Sequence, residues 1–332
     1  ALDALAYLER LIEREGIAAD YVRCGRFVAA HTHAARRALA AQATALTASG
    51  LPARVVVPAD QRAVIGSDHY RGGLAVDRAA AIHPAKYHKG LRAAARRAGA
   101  ALCPRTPVTS VLRETRGFEI LHAQGETWAG ELVVATNGET AAPFDWLKRR
   151  LVPVASYMIA TEELPAELAR SLSPEGRSFA DTRRILAYFR LSPDGRRLLF
   201  GGRASFVDGR EEEAALRLRR MMVRIFPQLA EVRLTHAWKG NVAFTADRLP
   251  HLAWHEGALY AGGCQGSGVA MATWLGHRAA AMLTGGRNAT SAFARLPFPA
   301  IPLYDGRPWF LPLVGNAFRL RDRLDRLLDA PR

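Results

Sequence analysis

The 332 residues, 49% of them hydrophobic, suffice for one large or two ordinary domains around a sizeable core, which excludes a disordered chain. No apolar run approaches the ~20 residues that span a bilayer, and the opening ALDALAYLERLIEREG reads as an amphipathic helix, not a signal peptide. The net charge of +15 comes from arginine, since only Lys86, Lys89, Lys148 and Lys239 are lysines, and its scatter without interleaved aromatics points away from a nucleic-acid platform.

In chain order, Leu2, Leu5, Leu8, Leu11 and Ile12 mark one face of a first helix. Tyr21–Ala30 reads as a strand. Thr32 caps a helix over Ala34–Ser49 that Gly50 closes. Arg54–Val57 is a short strand, Asp60–Ile65 a helical turn or two, and Gly72–Val76 another strand. His83-Pro84 opens a helix to Ala98. Strands are expected at Ala101–Cys103, Val108–Glu114, Phe118–Ala123 and Glu131–Ala135. From Leu151 the pattern turns to strands at Val152–Thr161, Ile185–Leu191, Arg197–Gly201 and Arg233–Lys239, interrupted by a helix over Glu211–Phe226. Leu259-Tyr260-Ala261 is a buried strand. The tail Leu296–Pro312 is expected to drape over the surface, and a basic amphipathic helix, Asn316–Leu328, finishes the chain.

Between that last strand and a run of small and apolar residues lies a glycine-rich turn, Gly262-Gly263-Cys264-Gln265-Gly266-Ser267-Gly268. A strand, a glycine turn and a helix N-terminus together make a place for an anion or an electron-rich ring edge. The same pattern also serves as a tight strand-to-helix turn with no ligand. Cys24, Cys103 and Cys264 form an odd set without a CxxC pair. This argues against a disulfide framework and against a bound metal, and it fits a reducing, cytoplasmic compartment.

Collinear segments carry a resemblance. They are Gly72-Gly73-Leu74 with His83-Pro84-Ala85-Lys86-Tyr87; Val133-Val134-Ala135-Thr136-Asn137; Tyr188-Phe189-Arg190 with Leu199-Phe200-Gly201-Gly202-Arg203; Trp238-Lys239-Gly240 with Phe244-Thr245-Ala246-Asp247-Arg248-Leu249-Pro250; and the glycine turn. In these the chain resembles FAD-dependent enzymes of the D-amino acid oxidase superfamily, in particular the D-amino acid dehydrogenase-like and gamma-glutamylputrescine oxidase-like branch.

The resemblance implies an α/β (α+β) fold. A discontinuous, Rossmann-like FAD-binding lobe would comprise 1–150, with a substrate-lobe segment interleaved at about 17–80, and 251–286. A mainly antiparallel β-sheet substrate lobe would comprise 151–250, and 287–332 would form a tail with its basic helix. It implies FAD as cofactor, contacted by Val108, Ala135, Thr136, Asn137, Gly262, Gly263, Gly266, Ser267, Gly268 and Val269. Gln265 would face flavin or substrate, and Arg203 would meet a substrate carboxylate with its planar fork. Trp238 shares a strand face with His236, and either faces the flavin or packs as a core residue. Related amino-acid oxidases often carry a carboxylate-binding arginine after the W-x-G segment. Here Val242 takes that place, which favours an amine, or an acid held from elsewhere.

The family's opening strand–GxGxxG–helix has no counterpart before residue 262. An N-terminally truncated sequence, binding FAD poorly by itself, is the expectation, against a chain that never carried the motif. The implied function is oxidation of an amine or amino acid C–N bond to an imine. The alternative is a non-catalytic remnant or basic interaction module without flavin.

Overall fold

The computed structural model describes residues 2–202, 211–285 and 291–329. Helix α1 (Leu2–Glu15) buries Ala4, Leu8 and Leu11, as its leucine spacing requires. Strand β1 (Arg26–Ala29) leads to α2 (His33–Ala48), where the Thr32 hydroxyl accepts the Ala35 N–H at 3.1 Å. Strands β2 (Ala53–Val56) and β3 (Gly73–Val76) flank a 3-10 turn at Pro58–Ala63. Helix α3 (Pro84–Arg97) starts on a proline, whose missing N–H would be unpaired there in any case.

A meander of β4 (Val108–Glu114), β5 (Gly117–His122) and β6 (Gly125–Ala129) precedes β7 (Val133–Val134) and the short α4 (Asp145–Lys148). Then come β8 (Val152–Thr161), α5 (Ala166–Leu172), β9 (Ser178–Asp181), β10 (Ala187–Leu191) and β11 (Leu198–Gly202). Helix α6 (Glu211–Ile225), whose first turn is acidic, precedes β12 (Leu234–Phe244), β13 (His251–His255) and β14 (Ala258–Gly262). Helices α7 (Gly268–Leu283), α8 (Ala292–Arg295) and α9 (Leu311–Leu327) complete the described chain.

These elements fall into two units. The first comprises Ala1–Ala18, Pro84–Val154 and Asn241–Trp309. Its central sheet runs β13-β14-β7, with β13 antiparallel and β7 parallel to β14. All five residues of β14 are buried, which explains its continuous apolar run. Leu252 and Leu259 pack with Met271, Leu275 and Ala279 of α7 and Ala4 of α1. A separate antiparallel sheet, β4-β5-β6, carries a register shift between Val108 and Ser110.

The second unit comprises Ala19–His83, Ala155–Gly240 and Phe310–Arg332. Its eight-stranded sheet is ordered β12-β8-β11-β10-β9-β1-β3-β2. Leu218, Met222 and Ile225 of α6 cover one face, packing among Phe27, Phe179, Phe189 and Phe200. Phe189 stacks between Phe179 and Phe200, with centroids 5.0 and 5.4 Å away. Leu39 and Ala43 of α2 cover Leu74 on the opposite face, so this sheet is buried from both sides near β3.

Several elements differ from the sequence expectation. Ala101–Cys103 forms no strand, and Glu131–Ala135 contracts to Val133–Val134. The tail runs largely exposed, as expected, but is pinned at two points: Phe298 and Tyr304 are buried, and the Tyr304 hydroxyl donates to the Leu151 carbonyl at 2.9 Å. The last helix starts at Leu311 rather than Asn316, because Pro312 sits in its first turn, where a proline is tolerated. The sheet of the second unit is mainly antiparallel, as expected, with β1 and β9 running parallel from Arg26↔Ser178 to Ala29↔Asp181.

Candidate functional site: a glycine turn at the start of a helix

The buried strand β14 delivers the chain to Gly263, which takes a φ of +79°. A Cβ there would stand 2.4 Å from the Thr245 methyl, so glycine is required twice over. Gln265 and Gly266 continue in the left-handed region, at φ +54° and +88°. Helix α7 then begins without a side-chain cap from Ser267. Its first helical bond joins the Met271 N–H to the Ser267 carbonyl at 3.1 Å. Among the described residues, the N–H groups of Gly268, Val269 and Ala270 therefore have no acceptor. A Cβ on Gly266 or Gly268 would meet no heavy atom nearer than 4.0 Å. The backbone here is open to close approach, and the helix end adds a partial positive charge. An anion or an electron-rich ring edge fits this arrangement.

Three side chains brace the turn. Asn137, at φ +47° just beyond β7, accepts the Gly263 N–H on its Oδ1 at 3.1 Å. Gln265 Nε2 donates to Thr245 Oγ1 at 2.8 Å, and Thr245 Oγ1 donates to the Leu249 carbonyl at 2.9 Å. The Thr136 and Thr140 hydroxyls lie 2.8 Å apart, and Asn241 Nδ2 donates to Glu139 Oε1 at 2.9 Å. Thus Asn137 meets Gly262 and Gly263, and Ala135 and Thr136 directly precede it in the chain. Gln265 serves the turn as a brace.

Val108 stands elsewhere, at the start of β4 opposite His122. Trp238 belongs to the second unit and is 42% exposed, so it is not a core residue. Arg203 lies outside the described residues. Thr245 and Asn241 were not singled out for a role from sequence. The segment Phe244–Pro250 carried a family likeness, but nothing in its pattern marks Thr245 as a brace.

Two further groups complete the surroundings. His251 is fully buried, stacks on Phe298 with centroids 4.2 Å apart, and shares a 3.0 Å hydrogen bond with Asp247. Burial pushes the Asp247 carboxyl up, but hydrogen bonds from His251 and the Leu249 N–H outweigh it and hold it below the ordinary value. Burial pushes the Cys264 thiol up to about 11, so it is a protonated core group packed with Leu252 and Met271 and not a nucleophile.

Residues 1–282 match the profile of the DAO family, described as FAD dependent oxidoreductase. The chain belongs to this FAD-dependent oxidoreductase family. It is 31% identical over 248 residues to the probable oxidoreductase OrdL of Haemophilus influenzae, covering 73% of this chain and 56% of that one. It is likewise 31% identical over 270 residues to the gamma-glutamylputrescine oxidoreductase of Escherichia coli, covering 79% and 62%. The chain thus spans less than two thirds of the length of these relatives. Glycine oxidase from Geobacillus kaustophilus shares the fold at a TM-score of 0.72 and 19% identity, covering 90% of this chain and 80% of that one. Iminodiacetate oxidase from Chelativorans does so at 0.71 and 17%, covering 90% and 82%. Membership of the FAD-dependent oxidoreductase family fits the reading of the chain as part of a flavoenzyme and not that of a flavin-free basic module.

Proposed function

We propose that this protein oxidises the C–N bond of an amine or amino acid to the imine, using FAD. The observation that carries this reading is the uncapped start of α7, with three unpaired N–H groups behind an open glycine turn, inside the region matched to the family. When bound, FAD supplies the hydride acceptor. The N–H groups of Gly268, Val269 and Ala270 would favour negative charge on a ring edge bound at this helix start. Gly266, Ser267 and Gly268 would leave room for that edge, the buried Gly262 and Gly263 would let the chain turn beneath it, and Asn137 and Gln265 would hold the turn in place. Ala135, Thr136 and the backbone of Val108 would serve the adenosine side, and Arg203 would hold a substrate carboxylate.

From Gly262 to Val269 the only titratable side chain is Cys264, whose buried thiol stays protonated. Hydride transfer from a neutral amine would need no side-chain base from this stretch. Val242 comes within 4.0 Å of where a Cβ on Gly266 would be. It presents an apolar side chain beside the turn and no cation for a carboxylate there, which favours an amine. The E. coli relative is named for gamma-glutamylputrescine, an amine of this class. No helix among the described residues is long and apolar enough to cross a membrane. The three free cysteines are the feature that favours a reducing, cytoplasmic setting. The protein expressed from its natural reading frame in the presence of FAD should purify with flavin absorbance that bleaches when amine is added without air. Absence of any flavin absorbance would sink the reading.

A further inference from the structure

The final helix has two faces of opposite character. Asp322, Asp325 and Asp329 lie on one side, and each is engaged within the second unit. Asp322 is buried: its Oδ1 accepts the Arg184 N–H at 3.1 Å and its Oδ2 the Ile185 N–H at 3.0 Å. Asp325 accepts from Arg184 Nη1 at 2.5 Å. Asp329 accepts the His33 N–H at 2.6 Å, at the start of α2. These are all the acidic residues of the helix and its C-terminal turn.

The other face is apolar and open. Leu313, Leu320, Leu324 and Leu327 follow helical spacing and are 66, 59, 44 and 80% exposed. Arg319, Arg321 and Arg323, also exposed, flank this stripe. A leucine stripe bordered by arginines, with every carboxylate of the helix engaged by a partner on the opposite side, has the chemistry of a helix that lies in a lipid interface.

We propose that α9 docks the protein on an anionic bilayer surface, its leucines entering the acyl boundary and its arginines meeting lipid phosphates. Charge decides the occupant. A second copy of the chain packed on this face would set arginine rows against arginine rows, with no outward carboxylate to receive them. Anionic headgroups complement both the rows and the net charge of +15. The acidic anchors keep α9 seated on its own unit, so the stripe is presented without unfolding.

Cosedimentation of the full chain with vesicles tests this. Binding is expected to vesicles of phosphatidylcholine mixed with phosphatidylglycerol, and not to phosphatidylcholine alone. The triple change Arg319→Gln, Arg321→Gln, Arg323→Gln should weaken binding by about 100-fold. Leu320→Ser, Leu324→Ser, Leu327→Ser should abolish the part that survives high salt. Because these side chains are exposed, circular dichroism and the urea midpoint should stay unchanged. The proposal is overturned by absence of binding to anionic vesicles at low salt. It is equally overturned if either variant binds like the parent, or if light scattering shows a dimer that only the leucine changes dissociate while vesicles are ignored.

Discussion

Gly263 and Gly268 lie five positions apart in one turn, yet substitution should affect them in opposite ways. At Gly263, alanine would combine a left-handed φ with a methyl pressed on Thr245. We expect Gly263→Ala to cost roughly 2–4 kcal/mol, read as a lower urea midpoint. At Gly268 the space is open and φ is outside the left-handed region, so Gly268→Ala should leave that midpoint unchanged or higher. The same methyl stands where the proposed ring edge approaches, and flavin affinity should fall about tenfold or more in fluorescence titration. A Gly268→Ala protein that binds flavin as tightly as its parent would remove the turn from the cofactor site.

Acid sensitivity is also set by single residues. Burial, then repulsion from Arg183, Arg326, Arg71 and Arg224, lowers the pKa of His69 to about 4. Burial lowers that of His31 as well. The unfolded chain, with histidines near 6.5, binds more protons than the folded one in the interval between. Stability should therefore be complete above about 6.5 and decline as pH falls towards about 4. His69→Gln should flatten that decline in urea titrations run across this range.

At the scale of elements, α9 rests on its acidic face. Asp322→Ala would leave the N–H groups of Arg184 and Ile185 without their carboxylate partner. We expect a loss of about 1–3 kcal/mol and earlier proteolytic release of the helix, measured by limited digestion. Long elements such as α1, α2 and α6 were legible in sequence because their apolar spacing repeats over several turns. Strands β9 and β13 were not, because four or five residues carry too little alternation and their pairing comes from distant partners. The candidate site divides in the same way. Its glycines stand in sequence as a signature, whereas its braces join residues 20 and 126 positions apart, as Thr245 with Gln265 and Asn137 with Gly263. No local pattern encodes such contacts.

Over the whole molecule, neither unit is a contiguous stretch of chain, and each gathers three separate segments. In the second unit, β9 and β10 from one segment continue the sheet that β1 and β3 begin in another. A polypeptide limited to residues 155–240 should therefore lack a cooperative unfolding transition in circular dichroism, whereas the 332-residue chain should show one. The parallel pairing of β1 with β9 has a further consequence during synthesis. Arg26 and Ser178 are register partners about 150 residues apart, and ribosomes add ~5–20 residues per second. One edge of β1 must wait roughly 8–30 s on the nascent chain before its neighbour has been made. For that interval the newborn protein exposes an unpaired, apolar strand edge, the kind of surface that chaperones shield.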